Sequence, residues 1–307
     1  MIECTVTHIK FKLFGFIKIS LPRLYYARRK KELLRVFNYY KNNNIDITTY
    51  PKAEGFFRTI QLVQIEILKE FDRICRKNNI DYWLDFGTLL GAIRHKGFIP
   101  WDDDIDVGMP REFYNNFVDV FNKENSNKNL TISYNRRFCD RLGCFYKIRY
   151  KDTDLALDIF PYDFCDRRFS EKEQYALTSE IKAKREVINE ICKKKKISNA
   201  ELLDKINALM AEITNNKVNT KESGNDMVWG ADYSHTYPKW VHSYDTFYPL
   251  GEIEFEGYKF CCPNKYVDYI KTVYGNYMSY PSDMHVHSVY KFNEEEIEIM
   301  RKEFAHQ

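Results

Sequence analysis

Residues Tyr82–Arg111 read YWLDFGTLLGAIRHKGFIPWDDDIDVGMPR, and the fold turns on how this stretch is parsed. Apolar and charged residues alternate over Ile80–Phe86, the pattern of a half-buried strand. Gly87-Thr88 breaks that strand, and Leu89–Arg94 reads as a short helix opening at the break. Trp101–Met109, WDDDIDVGM, returns to a strand pattern. Pro110 then introduces a helix over Arg111–Phe121, because proline suits the first helical turn.

In a strand, alternate side chains face opposite ways, so Asp102, Asp104 and Asp106 share one face while Ile105 and Val107 point to a core. Crowded carboxylates repel one another and resist desolvation. A divalent cation relieves both penalties, and hard oxygen ligands suit Mg²⁺ or Mn²⁺. An exposed acidic loop is the plainer alternative, but Ile105 and Val107 argue for a packed strand. A calcium EF-hand loop needs Gly at its sixth position and Glu at its twelfth. Counted from Asp102 those positions hold Val107 and Phe113, so that reading fails.

Further along, LALDIFP at Leu155–Pro161 isolates Asp158 among apolar neighbours on an expected core strand. A buried carboxylate needs a partner. Asp158 is either a structural, salt-bridged Asp or a third ligand or base beside Asp104 and Asp106. Gly87-Thr88 at a helix start is a common phosphate-binding arrangement. Arg94, His95 and Lys96 follow, able to grip phosphate oxygens or to balance the aspartates.

The remaining elements give an α+β chain: a mixed sheet flanked by helices, with a helical insertion and a basic N-terminal helical leader. Helical spacing of Ile60, Val63, Ile67, Leu68, Phe71, Ile74 and Cys75 predicts a helix over Phe56–Lys77. Phe145–Tyr150 reads as one strand and Leu155–Phe160 as another. Ser170–Lys196 and Ser198–Asn216 read as a Lys/Glu-rich helical hairpin, with Ser198 and Glu201 forming a capping box. The expected division is a leader over 1–50, a catalytic core over 51–169, the hairpin over 170–222 and a C-terminal part of the catalytic domain over 223–307.

Of 307 residues, 44% are hydrophobic, which fits a globular protein with a sizeable core. A net charge of +3 is too mild to argue for nucleic acid, and no nucleic-acid-binding motif is present. The eight cysteines contain no C-x-x-C pair and read as reduced thiols of a cytoplasmic protein; zinc is not assigned. No stretch approaches the ~20 apolar residues of a membrane span. The segment from His8 to Leu21 is apolar but broken by Lys10, Lys12 and Lys18, and Arg23, Arg28, Arg29, Lys30 and Lys31 follow it. It reads either as a peripheral contact with an anionic membrane face or as a helix packed on its own domain.

Strand, Gly-Thr, helix, then Asp-x-Asp on a strand and a lone Asp on a later strand resembles the nucleotidyltransferase superfamily. At Tyr82–Arg111 the match is closer: the stretch resembles the signature of the LicD family, which also includes fukutin-related proteins. Lys147-Ile148 with Thr153, LDIFPYD at Leu157–Asp163, and a block from Phe247 through FEGYKF and YGNYMSYP to His287 extend the likeness. It covers Phe56–Asp163 and Tyr244–His287. The resemblance implies a transferase that moves a phosphorylated alcohol, phosphocholine or ribitol phosphate, from a cytidine-diphosphate-activated donor such as CDP-choline onto a glycan or lipid-linked glycan. It also implies that Asp104 and Asp106 are the catalytic Asp-x-Asp, with Asp102 as an accompanying acid and Asp158 as the third carboxylate.

The expected chemistry is in-line displacement at the donor phosphorus. Asp102, Asp104, Asp106 and Asp158 would hold Mg²⁺ or Mn²⁺, while Gly87, Thr88, Arg94 and Lys147 would hold phosphate oxygens. Three rivals exist: a nucleotidyltransferase working from a nucleoside triphosphate, an Asp-x-Asp glycosyltransferase, and an inactive glycan-binding scaffold. Tyr233, Trp240, Tyr244 and Tyr248 are candidates for an aromatic cage around a quaternary ammonium. The roles of His285 and His287 stay open.

Overall fold

The structure is a computed structural model that describes residues 2–5, 8–11, 22–135, 145–151, 153, 155–165, 171–214, 226–230 and 241–282. Its centre is a seven-stranded mixed sheet built from β3 (Trp83–Leu84), β4 (Ile105–Pro110), β5 (Leu130–Asn135), β6 (Phe145–Tyr150), β7 (Ala156–Cys165), β8 (Asp226–Trp229) and β9 (Val241–Ser243). The main path runs β3-β4-β7-β6-β5, with β8 on the far half of β7 and β9 beyond β8. Among the described residues only β4 and β7 pair in parallel, joined by a crossover through α4 (Arg111–Glu124), β5 and β6. A separate antiparallel hairpin, β10 (Gly251–Phe255) with β11 (Tyr258–Cys262), precedes α8 (Tyr266–Tyr274).

The sheet sorts its side chains as the sequence pattern demands. Ile105, Val107, Ile148, Leu157 and Ile159 are all fully buried. They share a face with Tyr146, whose ring lies 4.7 Å from Tyr114 of α4. Phe71 of α2 (Gly55–Lys77) packs 5.3 Å from Phe117 of α4, so the two helices close this apolar side. The opposite face carries Lys147, Asp158 and Asp106 in one row across three strands.

Several elements differ from expectation. The strand expected over Ile80–Phe86 is only Trp83–Leu84, because Asp85 caps a helix, α3 (Phe86–His95), that starts before Gly87 rather than after Thr88. The capping carboxylate accepts from the Phe86 amide at 2.8 Å. The strand expected over Trp101–Met109 begins at Ile105, and Asp102, Asp103 and Asp104 precede it in an irregular segment, the aspartate turn, that leads on from the Ile99–Asp102 turn. Alternation therefore does not place Asp102 and Asp104 on the strand face.

The helical leader is partly strand. Ile2–Thr5 and His8–Phe11 form an antiparallel hairpin before α1 (Pro22–Asn42). The end of α1 belongs to the main core: Phe37 is 1% exposed and its ring lies 5.2 Å from Trp101, which also meets Tyr50 at 4.9 Å. The Lys/Glu-rich segment forms α5 (Glu171–Lys195) and α6 (Asn199–Thr214), and Ser198 Oγ accepts from the Glu201 amide at 3.1 Å. Cys192, Leu202 and Ile206 bury this hairpin into the same core. Among the described residues no helix is long and apolar enough to cross a membrane.

Candidate active site

The register of β4 on β7 sets Asp106 opposite Asp158, and β6 sets Lys147 opposite Asp158 from the other side. Lys147 Nζ lies 2.5 and 2.6 Å from the two Asp158 carboxylate oxygens. Burial pushes the Asp158 carboxyl up to about 6, against the pull of Lys147, and Asp104 adds repulsion. Asp106 is pushed well above the carboxylate range by burial first, then by Asp104 and Asp158. Asp102 is raised the same way, by burial and then by Asp104.

Asp102, Asp103 and Asp104 bring one carboxylate oxygen each to within 4.8 Å of one another. Asp103, fully buried, escaped the sequence reading because strand alternation turned it away from its neighbours. Outside a strand alternation does not apply, and three consecutive carboxylates can converge. This group of hard oxygen donors could hold Mg²⁺ or Mn²⁺.

Helix α3 meets the acids with its N-terminus. Thr88 Oγ1 accepts from the Asp106 amide at 2.8 Å, and the Asp85 amide donates to the Asp106 carbonyl at 3.0 Å. These bonds tie the first turn of α3 to the start of β4. A Cβ on Gly87 would lie 2.7 Å from Asp102 Oδ2, so the missing side chain is what lets Asp102 close on the helix.

The four expected phosphate ligands are thus placed differently. Gly87 and Thr88 lie at the acidic site. Lys147 grips Asp158. Arg94, 7% exposed, donates to the Tyr277 carbonyl at 2.8 Å and to His95 Nε2 at 3.0 Å, anchoring the loop after α8 to α3. It still feels the charge of Asp102, although burial holds its guanidinium down to about 10.

Beneath the site, Asp85 is fully buried. Its carboxylate accepts from Tyr162 at 2.8 Å and from Tyr269, and the two hydroxyls lie 2.7 Å apart. Burial raises Asp85 to about 6 despite these donors. The only sequence signal for this network was a charged residue inside an apolar run. Tyr244 and Tyr248 stack on each other at 4.7 Å, whereas Tyr233, Trp240, His285 and His287 lie outside the described residues.

Comparison with known proteins matches the region that contains the site. A family model described as LicD/FKTN/FKRP, nucleotidyltransferase domain, matches residues 79–198. The lipopolysaccharide cholinephosphotransferase LicD of Haemophilus influenzae is 41% identical over 116 residues, 34% of this chain and 44% of that protein. The uncharacterized protein RP689 of Rickettsia prowazekii is 38% identical over 117 residues, 36% of this chain and 44% of that one. Human ribitol 5-phosphate transferase FKRP is 32% identical over 87 residues, 27% of this chain and 17% of that protein. The matched stretch spans less than half the length of each of these relatives. Residues 79–198, which contain α3, the aspartate turn, β4 and the Lys147–Asp158 pair, match the nucleotidyltransferase domain of the LicD family.

Proposed function

We propose that this chain transfers a phosphorylated alcohol, of phosphocholine or ribitol-phosphate type, from a CDP-activated donor to a cell-surface glycan or its lipid-linked precursor. The observation that carries the reading is the Asp106–Asp158 juxtaposition with Lys147 on Asp158, facing the aspartate turn at the N-terminus of α3. Two of the relatives are named for moving phosphocholine and ribitol phosphate, which supports the class of group transferred.

In this reading Asp102, Asp104 and Asp106 would hold Mg²⁺ or Mn²⁺, with Asp158 as a further ligand when it is not serving as the base, and the cation would supply positive charge against the charge that develops on the transferring phosphoryl group. The N-terminus of α3, with Gly87 and Thr88, presents its dipole to the donor phosphates. Lys147 and Arg94 add fixed positive charge around them. Lys147 also keeps Asp158 a carboxylate near neutral pH, despite its burial. An acceptor hydroxyl attacks the phosphorus that bears the alcohol, its proton passes to Asp158, and the bond to cytidine monophosphate breaks.

The test is release of cytidine monophosphate from CDP-choline or CDP-ribitol in the presence of a glycan acceptor and Mg²⁺. Asp106→Ala is expected to lower transfer by at least about 10²-fold with the fold intact. Full activity in that variant would remove the assignment. Pyrophosphate release from cytidine triphosphate and phosphocholine would replace it with the nucleotidyltransferase reading. The basic run from Arg23 to Lys31 fits a peripheral contact with an anionic membrane. Co-sedimentation with phosphatidylserine vesicles, lost when these cations are neutralised, checks that placement.

A further inference from the structure

We propose that Gln61 and Gln64, which lie on α2 outside the matched residues 79–198, are positioning residues that set the spacing of the aspartate turn. The inference rests on the reading of that turn as a divalent-cation site. Helix α2 is apolar where it meets the core, with Ile60, Val63, Ile67, Leu68 and Phe71 at most 1% exposed. Two primary amides sit among them, Gln61 and Gln64, each 1% exposed. A buried amide is unfavourable unless it is hydrogen-bonded. Packing alone gives no reason for either.

Their donors give the reason. Gln61 Nε2 donates to the Asp102 carbonyl at 3.0 Å and reaches the Ile99 carbonyl at 3.5 Å. Gln64 Nε2 donates to the Asp103 carbonyl at 2.5 Å. Residues three apart on a helix share a face, so the two amides meet two consecutive carbonyls. Asp102 and Asp103 precede β4, so their carbonyls have no place in the sheet ladder. Gln64 Oε1 is buried without a hydrogen-bond partner, so the side chain is held for its donor end at the expense of its acceptor.

The same helix face grips the start of the loop. Arg58, one turn earlier, donates to both Glu256 oxygens at 3.0 and 2.6 Å. Glu256, at the tip of the β10–β11 hairpin, accepts from the Phe98 amide at 3.1 Å, and its own amide donates to the Lys96 carbonyl at 2.9 Å. Arg58, Gln61 and Gln64 therefore fix the connection from Lys96 to Asp103 at both ends. Carboxylates held within 4.8 Å of one another repel and tend to splay. The main-chain restraint from α2 keeps the spacing that a cation of fixed radius requires.

The experiment is calorimetric titration of the full chain with Mn²⁺ alone, in parallel with thermal melting without metal. Gln61→Met and Gln64→Met keep side-chain length and remove the donors. Each is expected to weaken Mn²⁺ binding at least 10-fold. Ile67→Val, one helical turn beyond Gln64 on α2 and without a polar side-chain group, is the control, expected to lower the melting temperature while leaving Mn²⁺ affinity within twofold. Wild-type affinity in both Met variants overturns the inference and leaves the cation site standing. Absence of Mn²⁺ binding by the wild-type protein, or binding undiminished in Asp104→Ala, overturns the cation site and the inference together. Loss of affinity in Ile67→Val equal to that in the Met variants also overturns it, because general loosening of α2 then suffices. If Gln64→Met does not fold, Gln61→Met alone decides.

Discussion

Asp106 and Asp158 stand directly opposite each other on the only parallel strand pair among the described residues, and Lys147 closes on Asp158 from the third strand at 2.5 Å. The lysine therefore lies against a buried acid rather than in the open. Removing it as Lys147→Met leaves that acid unneutralised, next to two more. Breaking a buried pair in this way is destabilising by about 3 kcal/mol. Urea denaturation near pH 7.5 is expected to show that loss. The double variant Lys147→Met/Asp158→Asn should recover most of it, yet remain inactive in transfer. Recovery of activity along with stability would show that Asp158 has no chemical role.

Two glycines separate site from scaffold. A Cβ at Gly87 meets only the Asp102 carboxylate, the far end of a movable side chain. A Cβ at Gly108 lies 2.3 Å from the Trp83 indole nitrogen and 2.9 Å from the Tyr162 ring, both rigid and buried. Gly87→Ala is expected to keep its melting temperature within a few degrees while cation binding and transfer drop about 10-fold or more. Gly108→Ala is expected to lose several kcal/mol, in the range of an overpacked core. Thermal melts combined with Mn²⁺ titration of the two variants check the contrast.

Much of this site was legible because strand chemistry is periodic. Ile105 and Val107 marked a packed strand, and Asp158 among apolar neighbours marked a second one beside it. What escaped depended on contacts between distant segments. Asp102–Asp104 look like strand continuation, yet the Asp102 amide turns back to the Ile99 carbonyl at 2.8 Å, and Asp103 joins the carboxylate group instead of facing away. Helix α2 was recognised from its apolar positions. Counting those positions passes over Gln61 and Gln64, whose meaning lies in carbonyls about forty residues away. Lys147 and Arg94 are cations near acids, and one-dimensional spacing does not distinguish a phosphate ligand from a counter-ion. Gly87-Thr88 looked like a strand ending in a turn, because the helix begins under an Asp85 cap that Tyr162 and Tyr269 hold in place.

Asp85 carries a pH dependence with a definite sign. Its folded-state pKa is raised from 3.8 to about 6 by burial, so the native state binds a proton more tightly than the unfolded chain. The charged form is penalised in the fold; the penalty is absent below pH ~4 and complete above pH ~6, and amounts to something on the order of 3 kcal/mol. Asp85→Asn is neutral throughout. Its stability relative to wild type should therefore rise as pH increases from 4 to 7, whatever hydrogen bonds it loses. Parallel urea titrations at several pH values measure the difference. A difference that is flat across this window would mean that Tyr162 and Tyr269 already offset the burial.

Arg111 and Asp163 form the most deeply buried ion pair among the described residues for which both exposures are known, with side chains 4% and 0% exposed and a two-pronged contact at 2.9 Å on each arm. Arg111 opens α4 just after Pro110, and Asp163 sits on β7 just past the Asp158 region, so the pair pins the crossover helix to the strand that carries the site. Arg111→Met strands the aspartate and is expected to lower stability by about 3–5 kcal/mol. Arg111→Met/Asp163→Leu removes both charges and should regain most of that loss, because a buried pair contributes little over a packed apolar substitute. Neither residue faces the acidic row on β4 and β7, so the double variant is expected to bind Mn²⁺ with an affinity within about threefold of wild type. A refolded double variant that has lost the cation would mean that the pair sets the geometry of β4 against β7 and is more than a fastening for α4.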